Sequence, residues 1–407
     1  MKKIIFLNWF YPPDTSATSE LLASLTGELA DETHDIHVIA SRQQKTNAEA
    51  HLPRREVING VTVHRVWTSN FGRKRLLGRA IDYITFYLSA ALNLLLLTRR
   101  KDIVVAKTDP PLMSVIAMSV VTLKAAKQIN WIQDLYPEVA ATLGVKGMQG
   151  RIYKAIVWLR NASLKTAKMN VCLGEQMAAR LKREGVGAEK IRVIPNWVTN
   201  DAVEQNAQPE ETDLRTEWGL NGKFVIGYMG NLGRAYDFGD ILSAAETLRQ
   251  NPAVVFLIVG NGVQLDLIKE EVKKRQLNNV MFKPYQPSEK LAQSLAVPDI
   301  HLVMLKPELE GLIVPSKIYG ITAVGRPILF IGDKDGELAT MLTGEKCGLA
   351  IADNQPGSIA EEIATLQENP KRAKTMGNNA RKLYEKQFGK KRSLSAWEEL
   401  LCECAVS

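Results

Sequence analysis

The stretch G-L-I-V-P-S-K-I-Y-G-I-T-A-V-G-R-P runs from Gly311 to Pro327 and lies between two short apolar runs, Ile300–Leu305 and Pro327–Ile331. Such runs are typical of buried strands, and two strands that are joined through a helix are parallel. A helix of this kind begins at the ligand-binding edge, where its free N–H groups and its dipole favour an anion. Ser316 is a suitable N-cap residue, and Lys317 adds a positive charge. The stretch predicts either a phosphate-binding helix start or a capped crossover helix with a solvated lysine.

Similar alternation of strands and helices extends over most of the chain. Apolar runs such as Ile4–Phe10 and Ile129–Asp134 alternate with helical segments, and a second alternating series begins at Phe224. This pattern predicts parallel sheets covered by helices, and thus an α/β fold with two Rossmann-like domains. The predicted organisation is an N-terminal domain at 1–198, a polar linker at 199–221, a C-terminal domain at 222–385, and a C-terminal helix at 386–407 that returns to the N-terminal domain.

Composition bounds the class of protein. The chain has 407 residues, of which 45% are hydrophobic and 24% are charged, as in an ordinary folded enzyme of about two domains. The four cysteines form no CxxC pair, so the sequence predicts neither a zinc site nor a disulfide framework. Met1-Lys2-Lys3 leads directly into the first predicted strand, and we expect no signal peptide. A cytoplasmic location follows as an expectation.

Positive charge is concentrated in the first half of the chain. Residues 1–200 contain 28 Lys and Arg against 16 Asp and Glu, whereas the remainder contains 24 against 28. A basic surface attracts nucleic acid, anionic lipid or a phosphorylated substrate, and charge alone does not choose between them.

The apolar segment Ala80–Leu97 is the main candidate for membrane contact. It contains four polar residues, and basic residues flank it on both sides. These flanking residues are Arg73, Lys74, Arg75 and Arg79 before it, and Arg99, Arg100 and Lys101 after it. Bases at both ends and a polar minority inside favour a helix that lies in the membrane interface. A core helix and a membrane span remain the alternatives.

In open parallel sheets, ligands bind beyond the carboxyl ends of the strands. In the C-terminal domain, glycine turns follow the first two predicted strands, and Tyr285 follows the third. The turns contain Gly230, Asn231, Gly233 and Arg234 in the first, and Gly260, Asn261 and Gly262 in the second. Glycines let backbone amides approach a phosphate, and Arg234 with Lys317 can neutralise it. Each turn alone could equally be a simple tight turn.

The corresponding edge of the N-terminal domain carries aromatic and acidic residues. The first loop, Asn8–Ser19, includes Tyr11 and Ser16. Asp134 ends an apolar run, where a carboxylate is costly unless it is paired or functional. Asp134 is therefore a candidate catalytic residue, with helix capping as the alternative. Tyr11, Ser16 and Glu138 are the predicted acceptor-side residues.

The motifs G-x-x-V-P-S-K-x-Y-G-x-x-A-x-G-R-P, G-N-x-G, I-V-G-N-G and W-I-Q-D-L-Y-P-E resemble those of the bacterial family 4 glycosyltransferases that build surface polysaccharides. The resemblance implies a GT-B fold with two facing domains, a nucleotide sugar in the C-terminal domain and the acceptor on the N-terminal one. It also implies retention of configuration without a metal ion or another cofactor. On this basis the donor-binding set is extended to Ser316, Tyr319 and Glu310.

Two positions depart from the family pattern. Many relatives carry a glutamate that holds the donor ribose where this chain has Gly320, so the resemblance leaves the ribose contact without an assigned residue. Paired glycines are frequent in the first loop, where this chain has Ser16-Ala17. A looser amide contact is expected there.

These observations predict a glycosyltransferase of O-antigen, capsule or exopolysaccharide synthesis at the inner face of the plasma membrane. The predicted donor is a UDP-sugar, with an N-acetylated amino or deoxyamino sugar, and the predicted acceptor is a polyprenyl-diphosphate-linked saccharide. Arg234, Lys317 and the helix start would stabilise the departing diphosphate, and Asp134 would position the acceptor or the sugar. A nucleotide-sugar epimerase and a non-enzymatic nucleotide-binding protein are the alternatives. The basic residues surround an apolar helix without interleaved aromatics, which argues against nucleic acid.

Overall fold

The computed structural model describes residues 3–30, 34–44, 52–72, 76–145, 147–205 and 213–406. The internal contacts divide the chain into two compact units. Unit 1 comprises Met1–Pro195, Gly311–Val314 and Lys391–Ser407, and unit 2 comprises Asn196–Glu310 and Pro315–Lys390.

The strands follow the predicted alternation. They are β1 (Lys3–Leu7), β2 (Asp35–Ser41), β3 (Arg55–Ile58), β4 (Val61–Val66), β5 (Ile103–Lys107), β6 (Lys127–Trp131), β7 (Met169–Cys172), β8 (Ile191–Val193), β9 (Phe224–Met229), β10 (Val254–Val259), β11 (Val280–Lys283), β12 (Ile300–Met304), β13 (Ile328–Ile331) and β14 (Gly348–Ile351).

The helices connect these strands. They are α1 (Ala17–Leu29), α2 (Leu76–Leu97), α3 (Met113–Lys124), α4 (Glu138–Thr142), α5 (Gly150–Thr166), α6 (Glu175–Arg183), α7 (Asp201–Gln205), α8 (Asp213–Glu217), α9 (Gly239–Thr247), α10 (Leu265–Lys274), α11 (Leu291–Ala296), α12 (Lys317–Ala323), α13 (Glu337–Gly344), α14 (Pro356–Glu368), α15 (Pro370–Leu383) and α16 (Lys390–Val406).

Unit 1 contains a sheet in the order β3-β4-β2-β1-β5-β6-β7-β8. Every neighbouring pair is parallel except β3 with β4. The antiparallel β3 was not predicted from the sequence. It is a four-residue edge strand of alternating exposure, and such a segment carries little hydrophobic signal.

Helices cover both faces of the unit 1 sheet. On one face, α3 packs between α2 and α5, and Phe86 of α2 lies in a core with Val104 and Ala106 of β5. The side chains of Lys107 and Trp131 are register partners on the other face. Lys107 Nζ donates to the Thr18 carbonyl oxygen in α1, and the Trp131 ring packs edge-on against that of Trp397 in α16. The predicted return of the C-terminal helix to the first domain is therefore present.

Unit 2 contains a fully parallel sheet in the order β11-β10-β9-β12-β13-β14. Its core includes aliphatic and aromatic residues of the central strands, among them Ile226, Phe256 and Leu302. The last strand, β14, was not predicted from the sequence. β14 reads G-L-A-I, and its two small residues provide too little apolar bulk to mark a strand in the sequence.

Candidate active site

Two glycine loops meet at the carboxyl edge of the unit 2 sheet. The amide of Leu232 donates to the Asn261 carbonyl oxygen at 2.9 Å, and the amide of Gln264 donates to the Leu232 carbonyl oxygen at 3.2 Å. Gly260 has φ +151°, and a Cβ atom there would overlap the Gly230 carbonyl oxygen. A Cβ atom at Gly262 would lie 2.5 Å from the Leu232 carbonyl oxygen. The glycines are thus required by backbone packing, and they leave one side of both loops without side chains.

Lys317 extends over this glycine edge. Its Nζ lies 3.6 Å from the ring centroid of Tyr228 and 4.3 Å from that of Tyr236. Its Cε would contact a Cβ atom at Gly230 at 3.2 Å. Within the described part of the chain, this Nζ is buried and has no hydrogen-bond partner. Removal from water lowers the pKa of Lys317 to about 7. Among the described residues, the partners of this ammonium are two aromatic faces, so its position is suitable for an anionic ligand.

The local structure before Lys317 differs from the prediction. Ser316 occupies the N-cap position of α12, but its backbone is already helical, with φ −60° and ψ −19°, and its hydroxyl makes no capping hydrogen bond. The prediction that this side chain caps the helix is therefore wrong. α12 contains only seven residues, so its dipole is small and the charge of Lys317 is the main positive feature.

Polar side chains surround the glycine loops. Arg234 is exposed, and no described carboxylate pairs with it. Asn231 and Tyr285 are exposed as well. Asn261 Oδ1 accepts from the Gly262 amide at 2.7 Å, which fixes the second loop. The backbone of Lys306, after β12, donates to the Ala235 carbonyl oxygen at 3.2 Å and brings a third loop to the first.

Glu310 and Tyr319 have structural roles in unit 2. Glu310 Oε1 accepts from the Glu337 amide at 2.9 Å, at the start of α13. Burial raises the pKa of Glu310, and the charges of Glu337 and Asp333 raise it further. Tyr319 is buried and packs edge-on against Phe388, so the prediction of an accessible donor contact for its phenol is not supported.

Gly320, one of the two positions that depart from the resemblance, faces Leu295. A Cβ atom at Gly320 would lie 3.1 Å from Leu295 Cδ1. A larger side chain would have to displace that leucine. Gly320, which departs from the family pattern, therefore lies where α12 approaches Leu295 of α11 closely.

The carboxyl edge of the unit 1 sheet carries a buried lysine and two carboxylates. Lys107 ends β5, and its Nζ donates to the Thr18 carbonyl oxygen at 2.9 Å and lies 4.2 Å from the Trp131 ring centroid. Burial lowers the pKa of Lys107 to about 7, and Asp109 partly opposes this effect. Asp109 Oδ2 accepts from the Thr18 hydroxyl at 2.7 Å.

Asp134 follows β6 at the same edge. Its side chain is exposed, while its backbone pairs with Ile313 in an antiparallel bridge. The next residue, Leu135, donates its amide to the Leu312 carbonyl oxygen at 2.8 Å. Although the residue keeps contact with solvent, many protein atoms surround its carboxyl group. This partial desolvation and, to a smaller extent, the charge of Asp109 raise the pKa of Asp134 to about 6. A carboxylate of this kind changes charge close to neutral pH.

The three predicted acceptor-side residues are placed differently. Tyr11 is buried, and its hydroxyl lies 2.8 Å from Thr26 Oγ1. Glu138 is buried in an ion pair with Arg160. Both are occupied inside unit 1, so an acceptor contact of either side chain is not supported. Ser16 precedes α1, and its amide donates to Asp14 Oδ1 at 2.9 Å.

Two polar residues of α2, Asp82 and Thr85, face inward. Asp82 is buried and accepts from the Ser69 hydroxyl at 2.7 Å and from the Phe71 amide at 3.0 Å. Among the described residues, one helix, Leu77–Leu97, is long and apolar enough by composition to cross a membrane. Only 22% of its most apolar 18-residue stretch is buried inside the protein, so most of this apolar surface is uncovered. Its exposed apolar residues are Leu77, Ile81, Ile84, Leu88, Leu92 and Leu96. The predicted basic residues Arg73, Lys74 and Arg75 lie outside the described residues, whereas Arg79, Arg99, Arg100 and Lys101 are exposed.

A cavity of about 600 Å³ lies elsewhere, at the amino ends of the unit 2 strands. Phe224, Asp299 and Pro327 line it. Because ligands of parallel α/β sheets bind at the carboxyl ends, this cavity is not the candidate active site.

Sequence reasoning missed Tyr228, Tyr236, Lys107 and Asp109. The aromatic pair lies on either side of the first glycine loop, and only the folded structure shows that both rings contact Lys317. Lys107 and Asp109 end an apolar run in the same way as Asp134. The rule that singled out Asp134 could have found them.

Comparisons with known proteins agree with this architecture. The model of the family described as "Glycosyl transferases group 1" matches residues 210–383, and the "Glycosyl transferase 4-like domain" model matches residues 18–197. A protein of Escherichia coli (strain K12), described as "Putative colanic acid biosynthesis glycosyl transferase WcaI", is 26% identical over 90% of this chain and 91% of its own length. A "Probable glycosyltransferase WbjE" of Pseudomonas aeruginosa is 27% identical over 73% of this chain and 74% of its own length.

Solved structures share the fold at low sequence identity. The structure of Anabaena Alr3699/HepE in complex with UDP has a TM-score of 0.73 at 15% identity and covers 98% of this chain and 100% of its own. A sucrose-phosphate synthase from Thermosynechococcus elongatus has a TM-score of 0.80 at 16% identity, with 100% of both chains covered. The predicted fold class is confirmed: the chain has the GT-B fold of glycosyltransferases. Within that class, residues 210–383 are similar to the group 1 glycosyltransferases and residues 18–197 to the glycosyl transferase 4-like domain.

Proposed function

We propose that this enzyme transfers a sugar from a UDP-sugar to a polyprenyl-diphosphate-linked saccharide with retention of configuration. The proposed sugar is an N-acetylated amino or deoxyamino sugar. The observation that carries the donor assignment is Lys317, a buried ammonium without a hydrogen-bond partner among the described residues, next to two glycine loops. Breaking the bond between sugar and nucleotide leaves a diphosphate, and this edge supplies a positive charge for it.

Lys317 would stabilise the leaving group in a medium of low dielectric constant. The two tyrosine rings exclude water from Nζ, so its attraction to a phosphate oxygen is screened less than at a surface. A bound diphosphate would raise the pKa of Lys317 from about 7 and keep the ammonium charged. Arg234 is exposed beside the same loop and would add a second charge.

In a front-face retaining reaction, the departing phosphate accepts the proton of the acceptor hydroxyl. No strong protein base is then required, and metal independence remains part of the proposal. Asp134 would hold the acceptor or sugar hydroxyl through its exposed carboxylate. With a pKa of about 6, this carboxylate is ionised at neutral pH and can accept a hydrogen bond.

A structural neighbour supports the nucleotide-sugar donor, and a sequence relative supports the class of biosynthetic pathway. Alr3699/HepE has been solved with UDP and glucose, and the relative WcaI is described as a colanic acid biosynthesis enzyme. We extend these features to this chain as a nucleotide-sugar donor and a surface-polysaccharide product.

The exposed stripe of α2 supports a location on the inner face of the plasma membrane. Leu77, Leu88 and Leu96 are among six exposed apolar residues that recur at helical spacing. Exposed Arg79 precedes most of the stripe, and Arg99 to Lys101 follow it. A helix with these properties lies in the headgroup region and would bring the enzyme to a lipid-linked acceptor.

Incubation of a panel of UDP-sugars with a polyprenyl-diphosphate saccharide tests the function. We expect consumption of one donor only when the acceptor is present, release of UDP, and a product whose anomeric NMR signal matches the donor configuration. An inverted product would refute retention. Release of an epimerised donor without acceptor would instead establish the epimerase alternative.

A further inference from the structure

The three helices on one face of the unit 1 sheet have an unusual charge distribution. Only one carboxylate, Asp82, occurs in α2, α3 and α5 together. Asp82 is buried, and its carboxylate accepts hydrogen bonds from the backbone amides of Phe71 and Gly72. The basic residues of the same helices are Arg79, Lys124, Arg151, Lys154, Arg160 and Lys165. These three helices therefore present cations and apolar groups without an exposed acid.

Helices α1 and α16 on the opposite face of the same sheet carry exposed acids. These are Glu20, Glu28, Glu398, Glu399 and Glu403, and Lys391 and Arg392 at the start of α16 are exposed as well. The absence of exposed carboxylates is thus a property of α2, α3 and α5 and not of unit 1 as a whole.

α5 contributes exposed apolar surface of its own. Trp158 is 68% exposed and Ile152 is 65% exposed, and Arg151 and Lys154 beside them are exposed as well. The second half of the helix is anchored in the core through Ser163 and Leu164. A tryptophan costs free energy when its ring is in water, and it is favoured at membrane interfaces, where one part of the ring is apolar and the N–H is wet.

The exposed half of α5 lies at the edge that carries Asp134. Arg160 donates to the Tyr136 carbonyl oxygen and pairs with Glu138, and both residues follow β6. The turns of α5 that precede Arg160 therefore extend from the carboxyl edge of the sheet.

We propose that α5 is a second membrane contact, in which Ile152 and Trp158 insert into the headgroup region of an anionic bilayer while Arg151 and Lys154 bind lipid phosphates. The proposal rests on the membrane association proposed for α2 and adds a separate element to it. Charge selects the bilayer as occupant, because α2, α3 and α5 offer cations to anionic lipid and no exposed carboxylate that would repel it. Contact through two helices on one face would fix the orientation of unit 1 and keep its Asp134 edge close to the lipid surface.

Tryptophan fluorescence tests this contact directly. Trp67 and Trp158 are exposed, whereas Trp9, Trp131, Trp197, Trp218 and Trp397 are buried. Vesicles of brominated phosphatidylcholine and phosphatidylglycerol quench only tryptophans that reach the bilayer. We expect the wild-type enzyme to be quenched, and we expect Trp158→Phe to lose a large part of that quenching while it still sediments with the vesicles. Equal quenching of the wild type and Trp158→Phe would overturn the proposal.

Two further measurements separate the possible outcomes. Leu88→Asp on α2 should weaken vesicle binding at least tenfold, and Lys154→Glu on α5 should weaken it in a salt-sensitive manner.

If the wild type does not bind vesicles, the membrane part of the proposed function fails as well, whereas transfer to a soluble acceptor analogue still tests the chemistry. If Leu88→Asp weakens binding but Trp158 is not quenched, only the α5 contact fails. A dimer in light scattering that Trp158→Glu dissociates, with unchanged vesicle binding, would assign this surface to a second copy of the chain and overturn the proposal.

Discussion

The carboxyl edges of the two sheets are built from different components. In unit 2, the edge consists of backbone from two glycine loops and one buried cation, Lys317. In unit 1, the edge consists of charged side chains, and Asp134 and Lys107 both have pKa values shifted towards neutrality. The backbone of the unit 2 edge offers a fixed geometry, and a bound anion would charge its one buried lysine, so this edge suits a constant group such as a diphosphate. Side chains can differ among relatives without disturbing the fold, so they suit an acceptor that varies.

Lys317→Met should produce the largest effect and would test the unit 2 side of this contrast. We expect kcat/KM to fall about 10²–10³-fold, as for the loss of one preorganised donor to a developing negative charge. Stability should rise by about 1–4 kcal/mol, because an apolar side chain of similar length replaces an unpaired buried charge. Kinetics with a UDP-sugar and urea unfolding measure the two effects.

The burial of Lys317 also predicts how the stability of the enzyme changes with pH. The pKa of Lys317 is about 7 in the folded state and 10.5 for an ordinary lysine, so the unfolded chain binds more protons in this interval. The free energy of unfolding of the wild type should therefore rise as the pH increases from 7 to 10, and this rise should be absent in Lys317→Met. Lys273→Met, at an exposed position of α10, is the matched control and should change neither activity nor stability appreciably. Retained turnover in Lys317→Met would remove the basis of the donor assignment.

Asp134→Asn should have a smaller effect and concerns the unit 1 side. We expect kcat/KM for the acceptor to fall about 10–100-fold, in the range for loss of a positioning contact, while the Kd of UDP stays unchanged. In the wild type, activity should decrease as the pH falls through about 6, because protonation removes the negative charge of the carboxylate and turns one of its two acceptor oxygens into a donor. This acidic limb should be absent in Asp134→Asn.

Glu189→Gln removes an exposed carboxylate elsewhere in unit 1 and serves as the control for this pH profile. An acidic limb near pH 6 that persists in Asp134→Asn would assign the titration to another group. A weaker Kd for UDP in Asp134→Asn would mean that the two edges do not act separately.

The same contrast explains which parts of the site were predictable. Gly230, Gly260 and Gly262 were found from the sequence because a backbone that approaches another backbone closely admits almost no other residue. The alternating strands were predicted because burial on both faces requires continuous apolar runs. Short or edge strands such as β3 and β14 lack that requirement and were missed.

Side-chain arrangements were less predictable, since they depend on which distant segments meet. Tyr11 and Glu138 follow strands in the expected places, but Thr26 and Arg160 occupy them, and nothing in the sequence near either residue indicates this. Within α2, the sequence shows Asp82 and Thr85 but not the direction in which they point. The structure turns both towards the Ser69 loop, so the exposed face is more apolar than the composition of the segment indicated.

Proton uptake on UDP binding should be the smallest of these effects and the one that most directly separates the two edges. At pH 8, Lys317 with a pKa of about 7 is mostly neutral in the free enzyme, and a bound diphosphate would charge it. We expect the wild type to take up about one proton per UDP, by the same linkage that couples any ligand to a titrating group. Calorimetry in two buffers of different ionisation enthalpy measures this number.

Lys317→Arg, which stays charged at all working pH values, should take up close to none, whereas Asp134→Asn should match the wild type because its edge does not hold the diphosphate. Uptake that disappears in Asp134→Asn and persists in Lys317→Arg would reverse the roles of the two edges.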